Sequence, residues 1–256
     1  MLDLNEIKKY YPKLQGFEKS ILREYLQYKI LDVIFKSKFG GKMSFLGGTA
    51  IRICYQGRRF SEDLDFDNFH LSKGEFEEMA DLIKKELSRE GYNIEIRTVY
   101  KLACHAYIKF SDILFENKLS PMKNEKMMIQ VDTVRENIGY NSKNFLLTKF
   151  DVFRNINLTP INIVLSKKVG AVFGRKRAKG RDFYDIAFLM ELADFNYKYL
   201  KEKFNIKNRQ DLKNRLLEKI SKTDLKSLAK DVEPFLINPD EKERVSGFRE
   251  YIEQKL

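Results

Sequence analysis

The feature that most constrains this chain is a glycine pair closing one apolar run, with an Asp-x-Asp pair inside the next. Phe45-Leu46-Gly47-Gly48-Thr49-Ala50-Ile51-Arg52 is followed by Arg58-Arg59-Phe60-Ser61-Glu62-Asp63-Leu64-Asp65-Phe66. A lone Gly-Gly is most often a turn, and a lone Asp-x-Asp is usually surface. Together they say more, because an Asp between Leu64 and Phe66 in an apolar strand costs burial free energy unless a cation partners it. Asp63 and Asp65, two apart on a strand, leave the same face. Glycines at a helix mouth let backbone N–H groups approach phosphates with no Cβ in the way. The rest of the chain offers little else: two histidines, two cysteines and no tryptophan. Any chemistry must lean on carboxylates, lysines and arginines.

At 256 residues, 43% hydrophobic and 33% charged, the chain reads as soluble and globular, with length for one large or two modest domains. It has no run of eighteen apolar residues, which excludes a helical membrane span. The start, Met1-Leu2-Asp3-Leu4-Asn5-Glu6, lacks the basic and apolar regions of a signal peptide. Cys54 and Cys104 sit in apolar settings and read as buried free thiols of a reducing cytoplasm. The balance of 48 Lys+Arg against 37 Asp+Glu, a net +11, fits a polyanionic partner or simply a lysine-rich surface. Its distribution is more telling. Lys167, Lys168, Arg175, Lys176, Arg177, Lys179 and Arg181 stand against only Asp182 and Asp185.

Helical spacing of apolar residues over 17–39 predicts an amphipathic helix ended by Gly40-Gly41. Residues 43–46 read as a strand delivering Gly47-Gly48, with Thr49 as N-cap of a helix through Tyr55 that Gly57 stops. Leu64-Asp65-Phe66 reads as the next strand, and Ser72 caps a helix over 73–90. Strands follow at 92–100 and 103–110, and a buried-type strand at 127–133 carries Asp132. From Pro160 onward strand signals disappear, and helical spacing recurs at 161–173, 182–193, 208–220, 225–235 and 241–254. The pattern is a mixed α/β half, a compact sheet with helices to one side, and then an all-helical half. The boundary lies between 141 and 160.

These pieces suit transfer of a nucleotidyl group, an in-line attack on an α-phosphorus in which charge builds on phosphate oxygens. Two Mg²⁺ ions about 4 Å apart can clamp the attacking and leaving oxygens. Mg²⁺ takes carboxylate and phosphate oxygens and keeps several waters, so two or three aspartates suffice. Asp63 and Asp65 are spaced to bridge a metal pair, and Asp132 is placed to give a third carboxylate and a base for the incoming hydroxyl. Asp132 by itself is nearly uninformative. His70 and His105 lack metal-ligand spacing and read as structural, and Tyr10, Tyr11, Tyr197 and Tyr199 as helix anchors.

The segment 46–52 with 59–66 closely resembles the first motif of the AbiEii toxin family, nucleotidyltransferase-like proteins of abortive-infection, type IV toxin–antitoxin systems. Ser166-Lys167-Lys168-Val169-Gly170-Ala171 and Gly180-Arg181-Asp182-Phe183-Tyr184-Asp185-Ile186 resemble that family's paired-lysine and Arg-Asp-x-x-Asp motifs. The resemblance spans roughly 45–189. It implies an α+β fold: a DNA polymerase β-like nucleotidyltransferase core, a mixed sheet with flanking helices, over 1–155, then a helical bundle over 156–256. It also implies NTP as substrate with Mg²⁺ or Mn²⁺. Gly47, Gly48 and Thr49 would bind triphosphate, with Arg59 and Ser61 counted among the nucleotide-binding residues. Asp63 and Asp65, with Asp132 as the third acid, would bind metal. Lys168 would neutralise the triphosphate, and Asp182 and Asp185 would line the site.

The function this implies is transfer of NMP from NTP to an RNA acceptor, the 3′ end of tRNA, by a cytoplasmic toxin whose cognate antitoxin acts on its promoter. Segment 167–181 would hold the acceptor's phosphates without sequence readout. The alternatives are transfer to a protein hydroxyl or a small molecule, or an NTP-binding pseudo-enzyme.

Overall fold

The computed structural model describes residues 2–101 and 103–256. The chain forms two compact units. The first comprises residues through Cys54 together with Phe60–Thr159, and the second comprises Tyr55–Arg59 with Pro160–Leu256.

The first unit is built on a mixed seven-stranded sheet in the order β3-β4-β5-β2-β1-β7-β6. Its strands are β1 (Met43–Leu46), β2 (Leu64–Asn68), β3 (Ile94–Tyr100), β4 (Ala103–Phe110), β5 (Met127–Arg135), β6 (Lys143–Leu147) and β7 (Arg154–Leu158). The strand β2 runs antiparallel to β1 and parallel to β5, so it is central. The helices of this unit are α1 (Leu4–Lys8), α2 (Glu18–Lys36), α3 (Gly47–Cys54), α4 (Lys73–Arg89) and α5 (Ile113–Glu116).

Period-two alternation sorts the central strands into two faces. Phe45, Phe66, Ile108, Ile129 and Val131 are buried, and α2 and α4 pack against strands of this sheet. Asp65, His105, Gln130 and Asp132 occupy alternate positions and so share the other face. The helix α4 starts where the sequence says it should: Ser72 and Glu75 form a reciprocal capping box, and Gly91 follows its end at φ +97°. Inside α2, Glu24 is buried and accepts from Tyr11 Oη (2.6 Å), Arg52 Nε (2.8 Å) and Lys149 Nζ (3.2 Å). That carboxylate ties α2 to α3.

The second unit is helical, with α6 (Ile161–Gly174), α7 (Gly180–Leu189), α8 (Tyr197–Phe204), α9 (Arg209–Ser221), α10 (Leu225–Val232), α11 (Glu243–Ser246) and α12 (Phe248–Lys255). Gly180 lets α7 approach α10 closely, since a Cβ there would fall 2.0 Å from the Leu228 carbonyl oxygen. The short segment 55–59 joins this unit through an Arg59–Leu236 bridge and an Ile237 N–H to Arg58 carbonyl bond of 3.1 Å. Among the described residues no helix is long and apolar enough to cross a membrane.

Several local expectations are corrected. The helix after β1 begins at Gly47, so Thr49 lies inside it and is not its N-cap. The expected helix at 241–254 is two helices broken at Gly247, and the one at 225–235 ends at Val232, just before Pro234. The hairpin β6–β7 has no counterpart in the sequence reading. Its β6 strand, Lys143-Asn144-Phe145-Leu146-Leu147, is an edge whose side chains are mostly exposed, so the apolar alternation is weak.

Phe66 anchors the acid-bearing strand to the core, with its ring 5.4 Å from Phe45 and 6.1 Å from Phe35. Phe66→Ala is expected to destabilise the first unit by about 3–5 kcal/mol, measured as a lowered urea midpoint with faster amide exchange in β2.

Candidate active site

The candidate site grows from the turn between β1 and α3. Gly47 has φ +81°, a conformation that favours glycine. A Cβ on Gly47 would fall 2.0 Å from Asp65 Oδ2, so the absence of a side chain is what lets this carboxylate lie against the turn. Leu46 and Asp65 are cross-strand partners, which brings the two motifs of the sequence together. Thr49 is fully buried, and its hydroxyl donates to the backbone carbonyl of Asp63. Thr49 thus fastens the turn to the chain entering β2. Arg52, one turn further along α3, bonds Glu24 and lies 4.6 Å from the centre of the Phe60 ring. Gly48 is buried inside the same turn. Ser61 is half-buried, and its carbonyl accepts from Gln27 Nε2 at 3.0 Å.

The strand β2 begins at Leu64, so Asp63 sits just before it while Asp65 sits within it. Both are half-buried. Asp65 and Asp132 are register partners on the adjacent parallel strands β2 and β5. They therefore project from one face of strands about 4.8 Å apart. Two carboxylates held side by side repel unless a cation or hydrogen-bond donors stand between or beside them. For Asp132 the donors are visible. His105 Nδ1 lies 2.7 Å from Oδ1, and Gln130 Nε2 lies 2.7 and 2.9 Å from the two oxygens.

Among the described residues no group of three or more His, Cys, Asp or Glu side chains is placed to hold a metal ion, so Asp63, Asp65 and Asp132 are not gathered as a three-ligand set. Mg²⁺ is commonly held by one or two carboxylates plus substrate phosphates and water. The Asp65–Asp132 pair, with Asp63 next to it in sequence, fits that mode.

Sequence reasoning passed over two residues here. His105 was set aside for lacking ligand spacing, yet it is the cross-strand neighbour of Asp132. Asp67, two beyond Asp65, is buried and accepts from Tyr140 Oη, which also bonds Thr159 Oγ1 at 2.9 Å. Burial first, and then the Asp67 carboxylate, push the Tyr140 phenol well above its ordinary range, so it stays a donor. The alternation Asp63-x-Asp65-x-Asp67 was the available signal.

In the second unit the structure gathers Arg59, Lys168, Asp182 and Asp185. Arg59 grips Asp185 with both arms of its fork, Nε to Oδ1 at 2.7 Å and Nη2 to Oδ2 at 2.6 Å. Lys168 Nζ lies 2.8 Å from Asp185 and 3.4 Å from Asp182, and Arg175 Nε lies 2.9 Å from Asp182. Asp185 is fully buried, and Arg59 is 3% exposed. Arg59, expected among the nucleotide-binding residues, is therefore committed to an internal pair. Burial alone would lift the Asp185 carboxyl, but Arg59 and Lys168 outweigh it and hold Asp185 below the ordinary range. Burial likewise works against the Lys168 ammonium, and Asp185 and Asp182 more than compensate. Cys54 and Cys104 are free thiols as expected but half-buried rather than buried, and desolvation pushes the Cys54 thiol up.

Removing one partner of such a cluster leaves buried charge uncompensated. Asp185→Ala is expected to cost about 3–5 kcal/mol at neutral pH. Because the folded-state pKa of Asp185 is depressed, its contribution is fully present above the ordinary carboxylate value. It fades as pH falls through the depressed value. Urea titrations should find the gap between wild type and Asp185→Ala shrinking below about pH 4.

The fold matches solved structures of low sequence identity. MenT4, a nucleotidyltransferase toxin from Mycobacterium tuberculosis H37Rv, aligns with a TM-score of 0.65 at 14% identity, over 99% of this chain and 90% of its own. JHP933 from Helicobacter pylori aligns with a TM-score of 0.55 at 18% identity, over 95% of each chain. At these identities the likeness is one of fold. No curated protein matches the sequence. Residues 29–254 match the family described as "Nucleotidyl transferase AbiEii toxin, Type IV TA system", and the chain belongs to that family of nucleotidyltransferases.

Proposed function

We propose that this nucleotidyltransferase moves NMP from an NTP, with Mg²⁺ or Mn²⁺, onto the 3′-terminal hydroxyl of a tRNA. In this reading it acts as a cytoplasmic toxin with a cognate antitoxin that acts on its promoter. The observation that carries the chemistry is the Asp65 carboxylate lying against the Gly47 turn, with Asp132 beside it in register.

In that reading the acceptor oxygen forms a bond to the α-phosphorus while the bond from that phosphorus to the pyrophosphate oxygen breaks. The hydroxyl proton passes to Asp132 as base. The Gly47–Gly48–Thr49 turn opens α3, whose first N–H groups lack helical partners and favour phosphate oxygens. Asp63, Asp65 and Asp132 would hold the divalent ions, which supply neutralisation of charge on the attacking and leaving oxygens. The family motif assigns Lys168 to the triphosphate, and Asp182 and Asp185 are the carboxylates that keep its ammonium charged and placed. The exposed Lys176, Arg177 and Lys179 suit an acceptor's phosphates, and the net charge of +11 favours any polyanion.

The test is transfer of α-labelled NTP to total tRNA. Asp65→Asn should lower the rate at least about a hundredfold, equivalent to about 2.7 kcal/mol of transition-state stabilisation, and chelation should abolish it. Label recovered on protein or on a small molecule instead would overturn the acceptor. Binding of NTP without turnover in wild type would overturn the transfer itself.

Acceptor binding should weaken steeply with salt. Replacing Lys176, Arg177 and Lys179 together by alanine should reduce the slope of log K against log[salt] by about two, read by filter binding at several salt concentrations.

A further inference from the structure

Asp132 receives more support than an ordinary strand carboxylate. Its cross-strand partner His105 places Nδ1 2.7 Å from Oδ1, and because an ionised carboxylate only accepts, that nitrogen is the donor. Gln130, on the same face of β5 two residues earlier, donates to Oδ1 at 2.7 Å and to Oδ2 at 2.9 Å. Oδ1 thus takes two donors and Oδ2 one. The His105 ring has a neighbour of its own. The His105 ring stacks on Tyr107 with centroids 6.4 Å apart, and the Arg97 guanidinium lies 5.3 Å from the Tyr107 centroid.

The need for such support follows from the register. Asp132 faces Asp65 across one strand spacing, and like charges so placed push each other toward other rotamers. A carboxylate free to swing away would have to be recovered, at an entropic cost, each time an ion binds. Donors anchored on β4 and on β5 itself remove that freedom before the ion arrives, which is the usual work of groups behind a metal ligand.

We propose that His105 and Gln130 are positioning residues for metal binding: they hold the Asp132 carboxylate in one orientation, in which it would help Asp65 to hold a divalent ion. This rests on the reading of Asp132 given under Proposed function. It adds two residues that neither family motif contains.

The experiment is Mn²⁺ binding followed by electron paramagnetic resonance, with a non-hydrolysable NTP analogue present, beside steady-state transfer kinetics. His105→Phe and Gln130→Met keep bulk and strand preference while removing the donors. Each should weaken Mn²⁺ binding about 10–100-fold and lower kcat while leaving the NTP KM within about twofold. His105→Gln, which restores a donor, should recover most of the binding. In an Asp132→Asn background, His105→Phe should weaken Mn²⁺ binding no further, since both changes act on one carboxylate. Wild-type Mn²⁺ affinity in His105→Phe and Gln130→Met, alongside a loss in Asp132→Asn, would overturn the inference. Additive losses, or Asp132→Asn binding Mn²⁺ as wild type does, would overturn it too. Wild type that binds Mn²⁺ with the expected variant pattern but transfers no nucleotide would overturn the transfer reading and leave this inference standing.

Discussion

The contact on which the first unit's site depends is that between the Gly47 backbone and the Asp65 carboxylate. Two motifs separated by a helix and a loop meet there because β1 and β2 pair with Leu46 opposite Asp65, and because position 47 carries no Cβ to occupy the space. Everything near it reinforces the same placement. The Thr49 hydroxyl fastens the turn to Asp63, Arg52 fastens the helix to Glu24, and Phe66 fastens the strand to the core. An acidic side chain and the start of a helix are thereby held side by side.

The two units solve the problem of charge in opposite ways. On one face of the sheet, Asp65 and Asp132 are half-buried carboxylates in register, and Asp132 lies within hydrogen-bond reach of His105 and Gln130. In the helical unit, Arg59 and Lys168 pair with the fully buried Asp185, while Lys168 and the more exposed Arg175 flank Asp182. The first set faces its charges with polar neighbours, and the second offsets buried charge with opposite charge. The family motifs contain both kinds of residue. Their shared presence in a sequence signature does not make them alike in energetic role.

Local features were legible in the sequence and non-local ones were not. The strands carrying Phe45, Phe66 and Ile129, the capped helix after Ser72 and the all-helical second half followed from apolar spacing and caps. The Gly-Gly turn and the Asp-x-Asp strand were visible as motifs. That Asp132 pairs with Asp65 was not derivable, because parallel pairing of β2 with β5 depends on how the intervening chain crosses over. His105 carried no local signal, since its partner lies on the next strand. The hairpin β6–β7 escaped because a sheet edge needs few apolar residues to form. Arg59 read as part of a nucleotide-binding run, and only the fold discloses a partner 126 positions away.

That last separation bears on how the toxin is made. Tyr55–Arg59 belongs to the helical unit, while the chain on both sides of it belongs to the sheet. A ribosome adding about 5–20 residues per second delivers Arg59 many seconds ahead of Asp185. Throughout that interval a guanidinium destined for burial lacks its Asp185 partner, and the strand β2 that carries Asp65 follows it closely in the chain. The helical unit cannot close before translation is far advanced, so a prematurely released fragment would lack that closure. Burial of Arg59 thus waits for nearly the whole of the polypeptide.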